Sequence, residues 1–397
     1  MISMKKTALI SALSLPLFSL VGCGGSGSSS PLGSVTVNDT EVAVVAAVAG
    51  DYGSSSISVA ESSNANDIIN GYATTDSSDI QVATHGDYFY RIGRYNQDNI
   101  TKYSFDNPGV PEWQFSVNDE GSSGANPYSM VFVSDTKAYV LRYGAAKMWI
   151  VNPSVLASDE ANFKIGEIDL SAYDSTDGKP EMNAAVLVDG KLYVTLQAMD
   201  TANGYVPGQA WLVVIDTNTD TEITTGKGGN LAGVPLSVKN PYDLDYRDGK
   251  LFITGAGRFY PSEYTGGIET VSTSNFSRTL ILDDGDEQSH PYGQIVGLEV
   301  ISANALVFRG YASWGNETLY RLDLTTRQVS ATAFAGIEAR SIKALALDEN
   351  DRLWVGLGYS FGVNDPVIQV INTTSGVTEA ELSLLKDPVQ IVFGRRN

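Results

Sequence analysis

Gly190-Lys191-Leu192-Tyr193-Val194 and Gly249-Lys250-Leu251-Phe252-Ile253 are two copies of one pattern: a turn glycine, a lysine, then three apolar residues with an aromatic in the middle. A turn residue ahead of a short apolar, aromatic-rich run reads as a strand entered through a tight turn. Weaker copies are Gly86-Asp-Tyr-Phe-Tyr90, Thr136-Lys-Ala-Tyr-Val140, Asn304-Ala-Leu-Val307 and Asp351-Arg-Leu-Trp-Val355. Taking the large residue of each as an anchor gives Phe89, Tyr139, Tyr193, Phe252, Leu306 and Trp354, spaced by 50, 54, 59, 54 and 48 residues. Between the copies no amphipathic run of about 12 residues or more reads as a helix.

A period near 50 built from short strands and turns predicts an all-β propeller, one four-stranded sheet per blade. Met182–Val188, Tyr242–Tyr246 and Ile342–Leu347 read as innermost strands, and Trp211–Asp216, Leu319–Leu324 and Val367–Ile371 as third strands. Six blades are complete in this way. For the seventh, Val389–Phe393 is an inner strand without successors, while Glu41–Ala49 and Ser56–Glu61 are strands without an inner partner. Pairing the two chain ends closes a seven-bladed ring and leaves no open edge. The 43% apolar content, 39 glycines and 20 tyrosines suit such a turn-rich β fold.

Val213-Val-Ile-Asp-Thr-Asn-Thr-Asp-Thr-Glu-Ile223 resembles the repeat of YVTN-type propellers of bacterial surface-layer and periplasmic proteins, with weaker echoes at Val370–Ser375 and Arg321–Thr326. The resemblance covers roughly residues 35–396 at the level of the repeat, with one close match. It implies the fold, an extracytoplasmic site and a binding or scaffolding role. The motif is a folding signature and carries no catalytic group.

Lys5-Lys6 precede an apolar stretch from Thr7 to Val21. Fifteen residues fall short of the roughly 20 a spanning helix needs but suit a signal peptide. Met4, directly before the lysine pair, is an alternative start. Leu20-Val21-Gly22-Cys23 resembles the lipobox of bacterial lipoproteins, which implies that Cys23 is lipidated and becomes the first residue of the mature chain. The alternative is an ordinary secretory signal with an incidental cysteine. Gly24 after the cysteine implies sorting to the outer membrane in enteric-type bacteria. Residues 1–22 are therefore expected as the signal, 23–34 as a Gly/Ser tether and 35–397 as the propeller. Cleavage removes two lysines and no acids, taking the formal charge from −20 to −22. A charge of that sign argues against binding nucleic acid through phosphates. Cys23 is the only cysteine, so no intramolecular disulfide forms.

In a propeller, the loops entering inner strands and leaving second strands open on one face, over the channel. Asn126-Pro-Tyr128, Asn240-Pro-Tyr242 and His290-Pro-Tyr292 enter inner strands. Arg94-Tyr95, Arg142-Tyr143, Arg258-Phe-Tyr260 and Arg309-Gly-Tyr311 leave second strands, with Trp314 and Tyr359 nearby. Guanidinium forks bind carboxylate or phosphate and aromatic faces stack on rings or sugars, so these residues are expected to line a ligand-binding mouth. A purely structural role is the alternative, with tyrosines wedged between blades and arginines paired to local acids.

No cofactor, metal or catalytic motif is expected. Gly358-Tyr-Ser360-Phe-Gly362 matches the nucleophile elbow but lies between strands, with no helix after it. His85 and His290 fall on opposite faces, which excludes a shared histidine site. Asp216–Glu222 alternates oxygen ligands but reads as a hairpin turn, and Asp283–Glu287 as a solvated loop. The expectation is a monomeric, lipid-anchored binding protein whose partner is a small anionic or aromatic ligand or an outer-membrane protein. The alternatives are an interaction scaffold and, less favoured, a lyase or glycosidase.

Overall fold

Backbone geometry at the turns converts the repeated pattern into strands. In the computed structural model, which describes residues 41–63, 65, 67–330, 334, 337, 340–359 and 365–396, Asp189 and Gly190 hold φ of 48° and 72°, and Asp248 and Gly249 hold 48° and 77°. Two consecutive left-handed residues make the hairpin turn whose twist matches that of its flanking strands. Met182–Val188 thus turns directly into Lys191–Leu196, and Pro241–Arg247 into Lys250–Gly255.

Seven antiparallel sheets follow around the ring. Blade 1 joins the ends of the described chain: Asp387–Arg395 is innermost and pairs with Glu41–Val48, followed by Ser55–Glu61 and Ile68–Thr75. Blades 2 to 7 run inside to outside in chain order, with innermost strands Ile80–His85, Pro127–Ser134, Met182–Val188, Pro241–Arg247, Gln294–Ser302 and Ser341–Leu347. The expected seven blades and terminal pairing are present. Blade 4 departs from the common form, because both Thr221–Glu222 and Val234–Pro235 pair with its third strand, Trp211–Asp216. Among the described residues, the helices are two 3₁₀ segments, Ala157–Asn162 and Ser171–Tyr173, and no helix is long and apolar enough to cross a membrane.

The core sits between blades. Each of seven apolar clusters spans two neighbouring blades, one cluster to a seam. In blade 3, Ala138 and Val140 face blade 2 while Tyr139 and Leu141 face blade 4. A second strand is therefore buried on both faces, which is why its sequence is continuously apolar. All six anchor residues lie in second strands and are buried. Residues 1–40, including Cys23, the targeting segment and the tether, lie outside the described residues, as does Ser360 of the elbow-like motif.

Candidate functional site

Six inner strands carry a bulge near their first residues: at Tyr128, Asn183–Ala184, Tyr242, Val296, Lys343 and Val389. A bulge adds an unpaired residue and re-aims its side chain. Here it turns one residue per blade towards the channel mouth. Gln81 holds the equivalent place in blade 2, in unbroken register with Ile92. The mouth ring is thus aromatic and amide on one side (Gln81, Tyr128, Asn183, Tyr242) and aliphatic with one ammonium on the other (Val296, Lys343, Val389).

The Asn-Pro-Tyr pattern produces two of these placements. Asn126 and Asn240 adopt left-handed φ of 46° and 51°. Their carbonyls accept the N–H groups of Tyr143 and Ala256, both at 3.0 Å. Proline opens the strand, where its missing N–H is tolerated, and tyrosine falls on the bulge. His290-Pro-Tyr292 is out of register with these two, since its strand starts only at Gln294. Tyr292 packs instead on Phe308 and Tyr320, and His290 stacks on Tyr264 at 4.0 Å.

Over the aromatic half lies a cavity of about 530 Å³. On one wall the Arg94 guanidinium sits 3.7 Å above the Tyr128 ring, which stacks on Tyr143 at 4.3 Å. The Tyr143 hydroxyl donates to Gln197 Oε1 at 2.9 Å, and Gln197 Nε2 donates to the Pro241 carbonyl. On the other wall Tyr242, Phe259 and Tyr311 meet edge to face. Two small hairpins, Met199–Asp200 with Val206–Pro207 and Arg258–Phe259 with Ser262–Glu263, bring Tyr205 and Tyr260 to the rim. Arg258 Nη2 ties them together by donating to the Gly204 carbonyl at 3.2 Å.

Of the expected residues, Arg94, Tyr128, Tyr143, Tyr242, Arg258 and Tyr260 line this cavity. Arg309 and Tyr311 line an adjoining one of about 300 Å³, which shares Tyr242 and Phe259. Tyr95, Trp314 and Tyr359 are exposed outside it. Arg142 is 1% exposed, held by Asp119 at 2.7 Å and over Trp149 at 4.5 Å, so it belongs to the blade rather than the mouth. The cavity arginines also have acids: Arg94 pairs with Asp79 at 3.3 Å and Arg258 with Glu263 at 3.0 Å. Asn240, named with its Asn-Pro-Tyr loop, also lines the cavity, whereas Gln81, Asn183, Gln197, Met199 and Tyr205 were singled out by neither loop pattern. Gln81 and Asn183 share with the two tyrosines the second position of the inner strand, which is the signal that could have found them.

Elsewhere the polar motifs are engaged within the protein. Lys137 and Tyr139 bond Asp220, and the Tyr173 hydroxyl donates to Glu222 at 2.6 Å. Asp284 is not solvated: it is fully buried, with both oxygens accepting from Gly266 N at 3.1 Å. His85 lies at the far end of its strand from the mouth, stacked on Phe132 and 2.8 Å from Asp135.

Below the mouth, Asp243 and Asp245 of blade 5 accept the Leu298 and Val300 N–H groups of blade 6 at 3.1 and 2.9 Å. Burial raises Asp243 and Glu299 and pushes Asp245 up to about 6. Burial also pushes Glu181 up to about 8 and Asp284 to about 7. A carboxyl raised above its unfolded value makes the folded chain bind more protons between the two values, so stability falls as pH climbs through that window. Asp119, Glu167, Asp169 and Asp174 are lowered, and their contribution is lost only on acidification towards their folded values. Stability should therefore peak near about pH 5, with Tm lower by about 5 °C at pH 8.5. Glu181→Gln should flatten that limb while matching the parent at pH 5. A Tm that rises from pH 5 to 8.5 would overturn the assignment.

No family model matches the chain, and no curated protein matches it in sequence. Solved structures do. A candidate 6-phosphogluconolactonase from Bacteroides fragilis aligns with a TM-score of 0.58 at 10% identity, over 89% of this chain and 98% of its own. A streptogramin B lyase aligns at 0.53 and 12% identity, over 83% and 92%. The dihydro-haem d1 dehydrogenase NirN, in complex with DHE, aligns at 0.51 and 9% identity, over 87% and 67%. At such identities the likeness is one of fold, and the three neighbours differ in what they do.

Proposed function

We propose that this protein is a non-enzymatic binding lipoprotein of the bacterial envelope, related to YVTN-type propellers. In this reading it is lipid-anchored through Cys23 to the outer membrane and holds a ring-bearing small ligand in its channel mouth. The observation that carries the ligand reading is the cavity of about 530 Å³ lined by Tyr128, Tyr143, Tyr205, Tyr242, Phe259 and Tyr260 among side-chain amides. Its size suits a small molecule, and its flat faces suit a ring. The anchoring rests on Leu20-Val21-Gly22-Cys23 after a short apolar run.

Native mass spectrometry of the protein extracted gently from its own membrane tests both parts. The parent should carry excess mass beyond the lipid, and Tyr128→Ala combined with Tyr242→Ala should lose it without loss of fold. Cys23→Ala should abolish the lipid mass. A parent with no bound small molecule, together with failure of any ring compound to bind, would sink the ligand reading.

A docking role for the same face has its own support. Tyr95, Tyr205, Tyr260, Trp314 and Tyr359 are exposed on these loops, Tyr260 at 88%, and exposed aromatics of this kind mark protein contacts. A scaffold should give one dominant crosslinked partner of defined mass in intact cells.

A further inference from the structure

We propose that the ligand of the mouth is a ring carrying one carboxylate or phosphate group, and that Lys343, rather than any of the arginines, receives that group. This rests on the mouth being a ligand site and adds the ligand's charge and its point of attachment.

Every arginine at or near the mouth is already engaged. Arg94, Arg142 and Arg258 each face a carboxylate. Arg309 spends its guanidinium on three carbonyls, those of Ile342 and Lys343 at 2.8 and 2.6 Å and of Val296 at 3.0 Å. It reaches them because Gly297 lies opposite on the paired strand, where a Cβ would sit 2.9 Å from Arg309 Nε. Lys343 sits on the bulge of blade 7, and among the described residues its ammonium has no hydrogen bond or ion pair.

The surroundings complete an anion subsite. Lys343 lines a cavity of about 250 Å³ with Arg309, Gln81 and Gln390, and this cavity shares Gln81 and Tyr242 with the aromatic one. Gln390 Oε1 accepts the Val82 N–H at 2.8 Å, and among the described residues neither its amide N–H groups nor the Gln81 side-chain amide has a hydrogen-bond partner. Two cations therefore face one lining carboxylate, Asp243, whose oxygens already accept from Leu244 and Leu298. In a chain with net charge −20, the residues lining this cavity thus carry more positive than negative charges, beside an aromatic cup. An ammonium with unused donors in a partly desolvated channel favours a charged acceptor over a neutral one.

The test compares phenyl phosphate and benzoate with the neutral benzyl alcohol by titration calorimetry on the full chain in detergent, at low salt. The anions should bind about tenfold tighter than the alcohol, with the advantage shrinking in high salt. Lys343→Gln should erase the advantage and Lys343→Arg retain it, both with Tm unchanged because the ammonium holds nothing in the fold. In Arg258→Gln the advantage should survive. Equal binding of anion and alcohol, or an advantage lost with Arg258 and kept with Lys343→Gln, overturns the assignment to Lys343 while leaving the mouth a ring-binding site. Failure of every probe overturns both.

Discussion

A chain cut after Lys386 should lose cooperative folding and elute from a sizing column as aggregate. The cut removes Asp387–Arg395, the innermost strand of blade 1, and with it the whole ladder to Glu41–Val48. That partner strand, Glu-Val-Ala-Val-Val-Ala-Ala-Val, is buried at all eight positions. Losing its neighbour turns it into an apolar edge with unpaired backbone groups, a template for intermolecular pairing. Both seams of blade 1 suffer. Val82 N loses its acceptor on Gln390, Thr84 Oγ1 loses the Phe393 carbonyl, and Ile391 leaves the cluster shared with blade 7. A loss of this size matches the total stability of a typical domain, about 5–15 kcal/mol. A synthetic peptide of residues 387–396 should restore a cooperative melt by strand addition. A truncated chain melting cooperatively within about 5 °C of the parent would show that the ends do not close the ring.

The ring was legible because it is written many times over. One strand-turn-strand unit recurs at a near-constant spacing, so a single readable copy such as Gly190–Val194 locates its weaker siblings, and both-face burial keeps every second strand apolar. The shared blade was legible from what was missing at each end. Where the reading slipped, the cause was local backbone register. His290-Pro-Tyr292 looks like its two relatives but lies ahead of the strand, its tyrosine four residues before the bulge at Val296, and only the left-handed Asn126 and Asn240 set tyrosine on the bulge.

The mouth was half legible. Tyrosines at turn-to-strand junctions showed where the aromatic wall would be. The arginines misled, because sequence proximity to an aromatic says nothing about which acid approaches through space. Asp119 reaches Arg142 from 23 residues away, and Asp79 reaches Arg94 from the preceding inner-strand loop. Conversely, Gln81, Asn183 and Lys343 carry no local signal and gain their place only from equivalence around the ring. Depth was equally hidden, since Asp284 sits in an acidic run yet is fully enclosed.

Asp348→Ala should be the most damaging single substitution at the closure seam, costing about 3–5 kcal/mol. Its side chain is 0% exposed. One oxygen accepts the backbone N–H groups of Asn350 and Arg352 at 3.0 and 2.9 Å, and the other accepts Arg352 Nε at 2.7 Å and Trp354 Nε1 at 2.9 Å. Arg352 in turn donates to the Ser62 carbonyl in blade 1, and Trp354, itself fully buried, meets Phe393 of the closing strand edge to face. One carboxylate thus orients two of the side chains that join blade 7 to blade 1. Removing it strands the Trp354 indole N–H in the interior and leaves the mostly buried Arg352 guanidinium with the Ser62 carbonyl and a longer pairing to Glu379 at 4.0 Å, and a poorly compensated buried charge is costlier than a lost hydrogen bond. Asp348→Asn keeps acceptor capacity and loses the charge, so it should cost about half as much. Trp354→Phe keeps the ion pair and most of the packing, and should cost about 1–2 kcal/mol. Denaturant midpoints should rank Asp348→Ala lowest, Asp348→Asn next and Trp354→Phe nearest the parent. Hydrogen exchange in Asp348→Ala should rise first in Glu41–Val48 and Ser55–Glu61, because the seam opens before the blades do. If Asp348→Ala unfolds no earlier than Trp354→Phe, the carboxylate is not what locks the ring.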